Sequence, residues 1–124
     1  MTACDDYESA LEPALDRIME MTGWLAEPTL AGRRILVKPN LLTDRAPEQA
    51  VTTHPALVRQ VIRRLKACGA HVTVGDSPAS AANLARVWER SGIGAVCAEE
   101  NVPLIALEHA GAETFTRDGF TFPI

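Results

Sequence analysis

Apolar residues at Tyr7, Leu11, Leu15, Ile18 and Met19 recur at a mostly helical spacing near the start of the chain. Pro13 falls inside this run, where its missing N–H and its ring break the helical ladder. A helix that begins near Glu12, with Pro13 in its first turn, removes the conflict and leaves residues 5–11 as a looser arm. Gly23 is the predicted stop, and Trp24 and Leu25 are predicted to pack beneath the domain. The period then shortens. In RRILVKPN, the run Ile35, Leu36, Val37 is short, branched and apolar, which predicts a strand buried on both faces. Pro39 ends that strand, because it cannot donate to a ladder and holds Lys38 extended. From Asn40 to Thr53 there is no periodicity, so a long loop follows, of a length often reserved for function.

The clearest helix comes next. Thr53 or His54 caps it, Pro55 suits its first turn, and Leu57, Val58, Val61, Ile62 and Leu65 form one apolar stripe. Lys66 lies in its last turn and Gly69 ends it. AHVTVGD alternates Ala70, Val72 and Val74 with His71 and Thr73, so a strand follows and the segment reads as a βαβ unit with parallel strands. Asn83 caps a further helix through Leu84, Val87 and Trp88 that stops at Gly92. Another helical turn or two carries Ile93, Val96 and Cys97 to Glu100. Val102–Leu107 is a third strand, and Phe115, Phe120 and Phe122 alternate with threonines around Arg117-Asp118-Gly119 as a terminal hairpin. The pattern predicts an α/β domain: three layers, Rossmann-like, with a mostly parallel sheet.

Composition narrows the partners. A chain of 124 residues, 47% apolar and 23% charged, suits one globular domain. A formal net charge of -4 argues against nucleic acid, and Arg59, Arg63, Arg64 and Lys66 read as a solvated helix face. No apolar run is long enough for a membrane span, and the N-terminus has no signal-peptide pattern. Cys4, Cys68 and Cys97 are odd in number and far apart, which predicts a reducing, cytoplasmic setting and no metal centre.

Ligands of open parallel sheets gather beyond the carboxyl ends of the strands. Two polar clusters are predicted there: Lys38 and Asn40 with Thr53 and His54, and the turn holding Asp76 and Ser77. Lys38 offers a mobile positive charge, and the amides at the start of the following helix offer an anion site. Asp76 suits orienting Lys38, binding a ribose or other hydroxyl, giving a metal ion one oxygen ligand, or capping the next turn. His54 suits acid–base work, metal ligation or a plain helix cap. There is no GxSxG elbow, phosphate loop or dinucleotide fingerprint.

These motifs together resemble the bacterial and archaeal family called domain of unknown function 362 (DUF362). The likeness rests on GRRILVKPNLL at 32–42, AVTTHPALVRQVIRRLKACGAHVTVGDSP at 50–78 and SGIGAVCAEENVPLIAL at 91–107. It implies that Lys38, Asn40, Thr53, His54, Asp76 and Ser77 are the family-like polar positions. Family members are usually longer and many carry a ferredoxin-like segment; its cysteine pattern is absent here, so no iron–sulfur cluster is expected in this chain. The chain is therefore read as a single, incomplete domain over residues 1–124 that either lacks a second part or forms a homodimer to cover its open sheet edges. Three functions follow as expectations. The first is a domain for a small anionic ligand within a redox-associated protein. The second is a truncated enzyme using Lys38 with His54 or Asp76, and the third is an assembly module.

Overall fold

The computed structural model describes residues 3–23, 30–42, 44–77, 83–111, 114–117 and 120–123. A helix α1 (Ala3–Thr22) precedes strand β1 (Arg34–Val37), helix α2 (Pro55–Ala67), strand β2 (His71–Asp76), helices α3 (Leu84–Arg90) and α4 (Ile93–Glu99), and strand β3 (Leu104–Ala106). The first three strands form one parallel sheet in the order β1-β2-β3. Strands β4 (Thr114–Arg117) and β5 (Phe120–Pro123) pair antiparallel as the predicted terminal hairpin. The fold is α/β and Rossmann-like, a parallel sheet flanked by helices. Among the described residues no helix is long and apolar enough to cross a membrane.

Strand order explains where the core lies. Two right-handed crossovers that step in the same direction place their helices on the same face of a sheet. Accordingly Val58, Ile62 and Leu65 of α2 and Ile93, Val96 and Cys97 of α4 share one buried cluster with Val72 and Val74 of β2. The helix boundaries follow local chemistry. His54 Nδ1 accepts the Ala56 N–H at 3.2 Å to cap α2, with Pro55 in the first turn, while Gly69 leaves it in the left-handed region at φ 79. Asn83 Oδ1 accepts the Arg86 N–H and caps α3.

Three expectations need correction. Strand β1 is not buried on both faces: it lies at the sheet edge, and Leu36, facing away from the core, is 50% exposed. Helix α1 does not start near Glu12 but at Ala3, and runs through Pro13. Tertiary contacts hold it on either side of the proline. Glu12 Oε1 accepts from Gln60 at 2.7 Å, and Arg64 reaches both the Glu12 carbonyl at 3.1 Å and Asp16 at 2.6 Å. The basic cluster is a solvated face only in part: Arg63 and Lys66 are exposed and Arg59 is partly so, whereas the Arg64 side chain is 13% exposed against α1. Arg59 pairs with Glu99 at 2.6 Å and Arg63 with Glu100 at 2.8 Å, and Lys66 donates to the Glu100 carbonyl at 2.6 Å. Trp24 and Leu25 lie outside the described residues.

Candidate functional site

The site is built where β1 and β2 end side by side. Their register pairs Val37 with Val74, so Lys38, one residue past β1, reaches Asp76, the last residue of β2. Alternation along β2 turns Asp76 to the same face as Val72 and Val74, into the interior. The Lys38 Nζ lies 2.7 Å from Asp76 Oδ1; the lysine side chain is 54% exposed and the aspartate only 3%. The aspartate is held from further directions as well. The Leu41 N–H donates to Oδ2 at 2.7 Å and the Ser77 N–H to Oδ1 at 2.8 Å. Burial by itself would raise the Asp76 pKa, but the Lys38 ammonium and these two amides outweigh it and hold the carboxyl below the ordinary aspartate value. Asp76 therefore stays ionised and fixes the Lys38 ammonium at the end of the sheet.

The long loop is fastened to the same corner. The Asn40 N–H donates to Thr53 Oγ1 at 3.0 Å and the Thr53 N–H to the Asn40 carbonyl at 3.3 Å, so the two ends of the loop meet. Between them lie a short 3-10 turn at Pro47–Gln49 and an ion pair from Asp44 to Arg86 of α3 at 3.1 Å. Thr52 is buried, and its hydroxyl has no hydrogen-bond partner among the described residues. The predicted six positions thus gather at one end of the sheet, with His54 serving as the α2 cap.

One predicted element is overturned. The amides opening α2 are not available to an anion, because Pro55 has none, Ala56 donates to His54 Nδ1, and Leu57 and Val58 donate to the His54 carbonyl. Two participants were not foreseen. The Leu41 amide is one, and Glu108 is the other: its Oε2 accepts the Ser77 hydroxyl at 2.7 Å. Glu108 follows β3, whose Ala106 pairs with Asp76, so the third strand also delivers a side chain to this edge. The available signal was the carboxyl end of the third predicted strand.

Among the described residues no group of three or more His, Cys, Asp or Glu could hold a metal ion. Both oxygens of Asp76 are already engaged within the protein. Cys97 is buried in the core, where desolvation pushes its thiol pKa up and disfavours the thiolate that metals require.

The family model described as domain of unknown function (DUF362) matches residues 35–122. A thylakoid-associated protein of Synechocystis sp. is 35% identical over 74 residues, which are 59% of this chain and 23% of that protein. The chain thus spans less than a quarter of the length of this curated relative. No solved structure matches it. The match across most of the chain places it plainly: it belongs to the DUF362 family.

Proposed function

We propose that this member of the DUF362 family binds a small anion-bearing molecule at the carboxyl end of its parallel sheet, with Lys38 as the anion contact. The observation that carries the reading is the asymmetry of the Lys38–Asp76 pair. A buried carboxylate held by two backbone amides pairs with a lysine whose side chain is half exposed, and so keeps its ammonium at a fixed place. Preorganising a lysine in this way removes part of the entropy cost of ordering it around a ligand. Asn40 lies two residues beyond Lys38 and Ser77 directly follows Asp76, so both bring polar groups to the same strand ends.

Binding is favoured over acid–base catalysis by two features. Asp76, with its pKa lowered, is a weak base near neutrality, and the His54 Nδ1 is occupied as a helix cap. The reading also keeps the chain in a reducing, cytoplasmic setting without an iron–sulfur cluster of its own, consistent with Cys97 acting as a core side chain. The name of the Synechocystis relative associates that protein with thylakoids, and a place beside a redox system in a longer protein belongs to the same proposal.

Calorimetric titration with inorganic phosphate and with acetate tests the proposal. Saturable binding that weakens about tenfold or more in Lys38→Met, the scale of one charge-assisted hydrogen bond, supports it. Equal heats for wild type and variant exclude Lys38 as the contact.

A further inference from the structure

We infer that Glu108 is a specificity residue of this site and that the preferred ligand is a small zwitterion, carrying an ammonium group beside its anionic one. This rests on the reading of Lys38 as the anion contact. Beyond Lys38, the sheet end carries Asp76, Ser77 and Glu108, linked in sequence. Lys38 Nζ meets Asp76 Oδ1, the Ser77 N–H donates to that same oxygen, and the Ser77 hydroxyl donates to Glu108 Oε2. The linked group therefore holds one positive side chain and two negative ones, with Glu108 joined to the pair through Ser77. Asp76 already neutralises Lys38 in part, so a bare anion enters a corner whose formal charge is negative, and the extra carboxylate opposes it.

The two carboxylates are not equivalent. Asp76 is buried with both oxygens bound inside the protein, whereas Glu108 is exposed. The described structure gives its Oε2 one donor, the Ser77 hydroxyl. A carboxylate oxygen accepts more than one hydrogen bond, so Glu108 can meet a ligand while Ser77 holds it. An ammonium answers this arrangement best: its N–H groups donate to Glu108, its charge offsets the surplus carboxylate, and its companion anion meets Lys38. Ser77 acts here as a positioning residue, since it contacts Glu108 through its side chain and Asp76 through its amide.

Amide chemical-shift titrations of the full chain at neutral pH, with acetate and with glycine, β-alanine and 4-aminobutyrate, test the assignment. The three amino acids set the ammonium at increasing distance from the carboxylate. The best of them is expected to bind about tenfold more tightly than acetate, and Glu108→Gln to erase that advantage while leaving acetate no weaker. Glu108 is exposed and the change is nearly isosteric, so the amide spectrum of the variant should show an intact fold. Equal affinity for acetate and all three amino acids, or an advantage that survives Glu108→Gln, overturns the inference while Lys38-dependent acetate binding preserves the anion site. No saturable binding of any of the four overturns both.

Discussion

Lys38 and Asp76 meet at 2.7 Å across the ends of neighbouring parallel strands, one side chain half exposed and the other buried. The contact joins the sheet, the start of the long loop and the proposed binding corner, because Asp76 also receives the Leu41 and Ser77 amides. Its consequences can be measured as stability and as binding.

The pH dependence has a definite sign. Asp76 has a folded-state pKa below the ordinary value of 3.8, so its stabilising contribution is complete above that value and is lost as pH falls through the folded one. Denaturant unfolding from neutral pH downward is expected to show a loss below about pH 4 that Asp76→Asn reduces. At neutral pH the same substitution is expected to cost about 1–3 kcal/mol, since charged hydrogen bonds are exchanged for neutral ones. A variant with the wild-type acid profile would contradict the assignment.

Thr52 offers a prediction of opposite direction. Its buried hydroxyl lacks a hydrogen-bond partner among the described residues, and valine has nearly the same shape. Thr52→Val is expected to be neutral or to stabilise the fold by up to about 1 kcal/mol in urea unfolding. A marked loss of stability would mean that the hydroxyl has a partner in solution.

His54 separates structural from binding roles. Its Nδ1 caps α2, so His54→Ala is expected to cost about 1 kcal/mol and His54→Asn to recover most of it. Both variants should keep the wild-type affinity for phosphate. An affinity loss in His54→Asn with stability retained would place His54 in the site.

Gly75 lies buried at the middle of the sheet. A Cβ there would come within 2.8 Å of Ile105 Cγ1, 3.1 Å of Leu107 Cδ2 and 3.2 Å of Leu36 Cδ1. Gly75→Val is expected to destabilise the fold by about 1–3 kcal/mol through overpacking, and Gly75→Ala by less. Thermal unfolding of the pair gives the comparison.

Much of this arrangement was legible from local pattern. The stripe from Leu57 to Leu65 and the alternation around Val72 and Val74 defined α2 and β2, and parallel neighbours made the meeting of Lys38 with Asp76 a geometric consequence. What escaped was set by partners distant in sequence. Pro13 is carried inside α1 while Gln60 and Arg64 bind the chain around it, and no local propensity encodes that docking. The fate of the α2 arginines depended on Glu99 and Glu100, far along the chain. Leu36 reads as a buried strand residue because apolar runs do not reveal which strand stands at the edge. Glu108 belongs to no motif, and only the pairing of Ala106 with Asp76 brings it to Ser77.

The most direct measurement is a phosphate titration followed at the Leu41 and Ser77 amides, which donate to the two oxygens of Asp76, in wild type and in Lys38→Arg, which keeps the charge, and Lys38→Met, which removes it. Saturable shifts at both amides in wild type, retained at weaker affinity in Lys38→Arg and lost in a folded Lys38→Met, are the predicted result. Amides that do not move, or that move equally in all three proteins, would contradict an anion site at Lys38.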